Sequence, residues 1–193
     1  EIAAYCDYIM KQKGADDISF KTIIASGKNT SLASWVTSNN YIKKGYPVIV
    51  DLGAVCKGYR SDTTRTFAYN ISKKQKELLK AVIEIEELAI EKLEIGMYQY
   101  ELDDEVQGEA KKRGYKKYFF HVSHGIGLEP VEKPQIAMRS KEKIQEGMVT
   151  TIEVGIYVPS LGGARMEDVI YIDKKGALPL TVFPRELDKL TIT

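Results

Sequence analysis

Two pairs of acidic residues are spaced so that they could act together. Asp51 and Asp62, in VDLGAVCKGYRSD, lie symmetrically about a point between Cys56 and Lys57. Glu153 and Glu167 lie symmetrically about Ser160, inside PSLGG. If each segment folds as a hairpin, antiparallel pairing sets both members of a pair nearly opposite, at about 5 Å between Cβ atoms. Carboxylates so close repel unless they are protonated or bridged by cations. Their neighbours Val50, Leu52, Ile152 and Val154 are apolar, so the acids sit in core-like strands. Clustered buried carboxylates need compensation, and divalent ions supply it. The chain's two histidines, His121 and His124, are both in FFHVSHGIGLEPVEKP. Four carboxylates with an imidazole suit Mn, Co, Fe or Zn, and two such ions would balance the four negative charges.

The elements that must position these residues follow from periodicity. Ile2, Tyr5, Cys6, Ile9 and Met10 have helical spacing, and Gly14 ends that helix. Ile18 to Ala25 reads as a strand and Gly27 to Asn40 as a loop. Val48 to Ala54 and Tyr59 to Tyr69 read as strands about a turn at Cys56-Lys57-Gly58. Ser72 caps a long helix over Lys73 to Lys92, and Glu101 to Arg113 forms another, closed by Gly114. Met148 to Val158 and Ala164 to Ile172 are strands joined at Pro159 to Gly163. Helix, glycine, irregular loop and long acidic hairpin thus occur twice. EIAAYCDYIMKQKGADDISF echoes YELDDEVQGEAKKRGYKKYFF. The second copy is preceded by the long helix and the first is not, so one helix is expected to be missing before Glu1.

Composition excludes several classes of function. With 28 basic and 27 acidic side chains and a net charge of +1, the chain has no basic block to bind nucleic acid. No run approaches the roughly 20 apolar residues of a membrane span. Two cysteines, Cys6 and Cys56, cannot make a disulfide scaffold and fit a reducing, cytoplasmic compartment, although one bridge would still be compatible. The chain starts at Glu1 without a methionine, so upstream targeting signals stay open.

Four motifs carry a resemblance. Asp51-Leu-Gly…Ser-Asp62-Thr-Thr-Arg-Thr, Ser-His124-Gly-Ile-Gly-Leu, Thr-Ile-Glu153-Val-Gly-Ile-Tyr and Gly-Ala-Arg165-Met-Glu167-Asp resemble the pita-bread metallopeptidases. The likeness is to the Xaa-Pro dipeptidase (prolidase) and aminopeptidase P branch. It runs over essentially the whole chain, and the tail LTVFPREL is similar too. The resemblance implies an α+β, creatinase/aminopeptidase-like fold: two pseudo-symmetric halves and a curved antiparallel sheet with helices on one face. It implies one catalytic domain over residues 1–193, lacking its first helix and the family's separate N-terminal domain. It implies two divalent ions, with Mn or Co favoured and Zn or Fe also compatible. Asp51 would bind one ion, His124 and Glu153 the other, and Asp62 and Glu167 would bridge. A hydroxide between the ions would attack the bond, Glu153 would shuttle the proton, and Gly125 to Gly127 would let backbone approach closely. The substrate implied is a dipeptide or short peptide with proline second. Homodimers are common in the family.

The chain departs from the family where substrate is held. Ser34 stands where a histidine follows the P-N-S-x-x-P-H loop. Phe120 stands four residues before His124, so His121 is one step late. Val131 replaces a histidine seven residues after His124. In the family these imidazoles hold the substrate carboxylate, the scissile carbonyl and the oxyanion, and losing one oxyanion donor costs about 10²–10³ in rate. Two further functions follow: hydrolysis of a small non-peptide molecule, or an inactive metal-binding scaffold. For His121 the readings are an ordinary strand residue, or an inward residue re-registered by a bulge near Val122 or Ser123. Cys56 is an inert turn residue or a softer ligand. Arg65 and Arg165 orient carboxylates or make surface ion pairs. Trp35 and Tyr41 line a substrate pocket or pack in the core.

Overall fold

Alternating apolar residues build the long strands that carry the acidic pairs. The computed structural model describes residues 1–135 and 141–192. Helix α1 (Ile2–Gln12) leads to β1 (Asp17–Ile18), β2 (Ile23–Ser26) and a 3-10 turn at Gly27–Ser31. The first hairpin region holds β3 (Tyr46–Leu52), β4 (Ala54–Cys56), β5 (Tyr59–Arg60) and β6 (Thr63–Tyr69). Helices α2 (Lys73–Lys92) and α3 (Gln99–Lys112) follow, then β7 (Phe119–Val122), β8 (His124–Gly125) and β9 (Glu132–Gln135). The second hairpin is β10 (Val149–Val158) and β11 (Gly162–Asp173), trailed by β12 (Gly176–Pro179) and β13 (Thr191–Ile192).

Among the described residues these strands form a ten-stranded sheet, ordered β2-β3-β6-β11-β10-β8-β9, and a three-stranded sheet β1-β4-β5. In the large sheet β7 pairs with β10, β12 with β11 and β13 with β6. The pairing is antiparallel except for β13, which runs parallel to β6. The sheet is curled and α2 packs on it, an α+β architecture of the kind the resemblance implies.

Helix α2 forms where expected because Ser72 and Gln75 make a reciprocal cap. The Gln75 side chain accepts from Ser72 N at 2.9 Å, and Ser72 Oγ accepts from Gln75 N at 3.4 Å. Its apolar face, with Leu78, Leu79, Val82, Ile85 and Ala89, joins Ile152, Val154, Ile156, Met166 and Ile170 in the main core. Burial of side chains of this size contributes about 1.5–3 kcal/mol each, so α2 is the clamp of the second half. α1 also forms as its spacing predicts, but it buries none of its residues.

Three expected strands are broken, one before the first hairpin and both of its arms. Ile18 to Ala25 divides into β1 and β2, which belong to different sheets. The first hairpin breaks at Gly53, where a Cβ would lie 2.0 Å from Ser61 O. Gly53 therefore admits a crossing of two backbone segments that no other residue permits. The turn is centred on Lys57-Gly58, both at positive φ, with Cys56 opposite Tyr59.

Candidate metal centre

The pleat of a strand sends alternate side chains to opposite faces. Register decides which residues of neighbouring strands meet. Glu153 stands opposite Glu167, as the sequence symmetry predicts. Asp51 does not stand opposite Asp62: its partner is Thr64. The turn, centred one residue later than the midpoint, sets Asp62 diagonal from Asp51, and the break at Gly53 takes Asp62 out of the ladder. Thr64 in turn stands opposite Glu167. Asp51, Thr64, Glu167 and Glu153 thus form one row across β3, β6, β11 and β10, and Asp62 joins it from the strand break.

His124 arrives from β8. Its Nε2 lies 3.8 Å from Asp62 Oδ2 and 3.8 Å from Glu167 Oε1. Ligand atoms of Asp62, His124 and Glu167 all lie within 4.8 Å of one another, and all three residues are buried. The His124 Nδ1 is 3.1 Å from Gly125 O. A proton on Nδ1 serves that carbonyl and leaves Nε2 with its lone pair toward the two carboxylates, the form a metal ligand requires. The His124 backbone is fixed by Thr150 and Thr151: Thr150 Oγ1 donates to His124 O at 2.8 Å, and His124 N donates to Thr151 Oγ1 at 3.3 Å.

Arg165 enters the row from β11. It is hydrogen-bonded and ion-paired to Asp51 Oδ2, and its Nε is 3.6 Å from Glu153 Oε1. It also donates to Ala33 O at 3.0 Å, to Tyr157 Oη at 3.4 Å and to Thr64 Oγ1 at 3.3 Å. Thr64 Oγ1 donates to Glu167 Oε2 at 3.0 Å. Tyr157 reaches Arg165 because its ring folds back over Gly155, where a Cβ would lie 2.4 Å from the phenol oxygen.

The electrostatics are those of crowded buried acids. Burial first, then the charges of Asp51 and Glu153, push Asp62 well above the usual carboxylate range. Burial and Asp62, Glu153 and Asp51 do the same to Glu167. Burial raises Glu153 to about 7 and also raises Asp51, both against the pull of Arg165. Burial lowers His124 and raises Tyr157 to about 12. For Arg165 burial opposes the charge, but Tyr157, Asp51 and Glu153 outweigh it and hold the guanidinium ionised. With all four carboxylates ionised, one guanidinium would leave three negative charges unbalanced. Asp51 Oδ1, Asp62 Oδ1 and Glu167 Oε1 are buried with no hydrogen-bond partner. Orphaned oxygens, one imidazole nitrogen and excess negative charge fit divalent cations of the hard or borderline kind.

The other predicted residues are spread differently. Ser34 is exposed, but its neighbour Ala33 holds Arg165 through its carbonyl, so this loop borders the centre. Val131 is 51% exposed and Phe120 is 50% exposed. In β7 it is residue 122 that pairs with Glu153, whereas His121 pairs with Val154; the His121 side chain lies outside the described residues. Cys6 and Cys56 are both free thiols, and Cys56 is exposed. Trp35 packs on Ala25, Ile49 and Tyr157 at the end of the row, while Tyr41 is 86% exposed. Arg65 is buried on the other face of the sheet. Sequence reasoning missed Thr64 and Tyr157. The alternation Thr64, Thr66 behind Asp62 and the pattern Gly155-Ile-Tyr157 were the available signals. A cavity of about 920 Å³, with Val50, Leu52, Phe67, Val169 and Phe183 in its wall, includes none of the five candidate ligands.

The pattern of metallopeptidase family M24 matches residues 1–174. The Xaa-Pro dipeptidase of Pyrococcus furiosus is 43% identical over 189 residues, 97% of this chain and 54% of that protein. The Xaa-Pro dipeptidase of Bacillus anthracis superposes with a TM-score of 0.95 at 37% identity, covering 99% of this chain and 54% of that one. The X-Pro aminopeptidase of Thermotoga maritima does so with a TM-score of 0.94 at 32% identity, covering 99% and 54%. The chain spans about half the length of these relatives.

Proposed function

The chain belongs to metallopeptidase family M24, and from that membership we propose that it is a dinuclear metal-dependent hydrolase of the prolidase type. It would cleave the bond before proline in dipeptides or short peptides whose second residue is proline. The observation that carries this reading is the cluster of four carboxylates, three of them buried and Glu153 half-buried, with His124 and three oxygens without hydrogen-bond partners. Asp51, Asp62, His124, Glu153 and Glu167 would hold the ions, with Mn or Co preferred and Zn or Fe compatible with the same donors. When bound, the ions supply an acidified water and polarise the scissile carbonyl.

The remaining chemistry belongs to the chain. Glu153 would be the group that takes and returns the proton during the reaction; in the metal-free chain burial raises it to about 7. Arg165 fixes Asp51 and Glu153 from one side, and Tyr157 steadies Arg165. Trp35 and Tyr157 offer an apolar wall beside the row. The two free thiols suit a cytoplasmic setting, and no described helix is long and apolar enough to cross a membrane.

A second reading, hydrolysis of a small non-peptide molecule, draws on Ser34, Phe120 and Val131, where no imidazole is offered to a peptide's carboxylate or carbonyl. Turnover of Xaa-Pro dipeptides after loading with Mn or Co distinguishes the two. Hydrolysis of Xaa-Pro in preference to Xaa-Ala is expected. Full metal occupancy with no peptide turnover would refute the first reading and leave the second.

A further inference from the structure

The two groups of acidic ligands come from different halves of the sheet. Asp51 and Asp62 belong to the first hairpin, and His124, Glu153 and Glu167 to the second half. The halves meet at β6 and β11, where Thr64 pairs with Glu167 across 103 residues of chain. On the site face this seam is held by the Thr64 hydroxyl and by Thr66, whose Oγ1 donates to Arg165 O and accepts from Arg165 N, both at 2.8 Å.

Directly behind Thr64 and Glu167, one residue on in each strand and on the opposite face, stand Arg65 and Asp168. Their side chains are 4% and 0% exposed and are joined from Nη2 to Oδ1 at 2.5 Å. Arg65 Nη1 donates to Thr64 O and to Glu167 O, both at 2.9 Å, and so bridges the seam. Its Nε donates to Pro184 O at 2.9 Å and its Nη2 also donates to Phe183 O at 2.8 Å. All five N–H groups of the guanidinium are thereby used. The other oxygen of Asp168 accepts from Arg185 Nε, which lies 3.7 Å from Glu86 Oε2 on α2.

We propose that Arg65 and Asp168 are positioning residues for the metal centre. By fixing the carbonyls of Thr64 and Glu167 from behind, they set the spacing between the two groups of ligands. This rests on the assignment of those five residues as metal ligands. A lysine cannot replace Arg65, because its three donors lack the planar fork that spans two carbonyls and a carboxylate.

The experiment loads the whole chain with Co²⁺ and records three quantities: ion affinities by calorimetry, the visible Co²⁺ spectrum, and amide exchange at Thr64 and Glu167. Arg65→Lys and Asp168→Asn are expected to weaken at least one ion by about 10–100-fold, the range seen when groups supporting a ligand are lost. They should also change the spectrum and speed exchange at both amides. Glu86→Gln, in the same buried cluster but paired only to Arg185 among the described residues, should leave affinities and spectrum at wild-type values whatever it does to Tm. Wild-type affinities and spectrum in Arg65→Lys and Asp168→Asn overturn the proposal, as does an equal change in Glu86→Gln. Should neither variant fold, Arg185→Gln decides: a smaller change in the same direction supports the proposal, and none overturns it. A wild-type chain that takes up no Co²⁺ refutes the metal assignment instead. Exchange at the two amides then judges the strut alone, with faster exchange in the variants supporting it and unchanged exchange refuting it.

Discussion

His124 is aimed by its own strand: with Nδ1 turned to Gly125 O, its Nε2 is left facing Asp62 and Glu167. His124→Ala removes the imidazole donor of the cluster among the described residues. Calorimetric affinity for Mn or Co should fall by at least about 10-fold, since even loss of a group behind a ligand costs that much. Tm of the metal-free chain should change little. Thr64 makes the converse case. Thr64→Val deletes the donor to buried Glu167 Oε2, and such a loss costs about 1–3 kcal/mol; urea unfolding of the metal-free protein should show it. At this scale the sequence was readable where symmetry does the work. Glu153 and Glu167 are equidistant from their turn and do stand opposite. Thr64 and Tyr157 were not readable, because their roles depend on the neighbouring strand and on a ring folding back over Gly155.

At the scale of elements, Gly53 matters more than any strand residue near it. The crossing at Gly53 ends β3, moves β4 into a second sheet and sets Asp62 off the ladder. Gly53→Ala would drive a methyl into Ser61 O. Overpacking of this kind costs about 1–3 kcal/mol where neighbours can move, and backbone atoms move least. Urea unfolding is expected to show a loss of about 2 kcal/mol or more, together with weakened metal binding because Asp51 and Asp62 separate. The midpoint of Asp51 and Asp62 fails for another reason: the turn centres on Lys57-Gly58, one residue later, so Asp51 meets Thr64 on the same register that sets Cys56 opposite Tyr59. The break itself is a contact between backbones that no pattern of apolar and polar residues encodes. The helices were legible for the opposite reason. Capping at Ser72 and apolar spacing in α2 are local and agree with the packing they produce.

For the whole molecule the cluster makes stability depend on pH in a defined direction. Glu153 has an ordinary value of 4.5 and is raised to about 7 on folding, and Asp62 and Glu167 are raised as well. The folded chain therefore holds more protons than the unfolded chain in that window, and stability falls as pH rises. The contribution is fully present below about 4.5 and lost by the time pH passes about 7. Tm of the metal-free protein should decline between those limits, and saturating Mn or Co should flatten or reverse the trend. A metal-free Tm that rises through this range would contradict the burial of these acids. The two-half organisation was visible in the repeated order of helix, glycine, loop and hairpin. What joins the halves was not visible, because Thr64 and Glu167 are far apart in the chain.

That separation has a kinetic consequence. Each hairpin closes through its own short turn, but the seam closes a loop of about a hundred residues, an entropic cost that local contacts do not bear. The seam is therefore expected to consolidate late in folding, after both hairpins exist. The proposed ligands, drawn from both sides, come together only then, so bound ions should stabilise the native state more than the transition state. In a chevron experiment Mn or Co should slow unfolding and leave the refolding arm nearly unchanged. The cations would act as a lock on a door that has already shut.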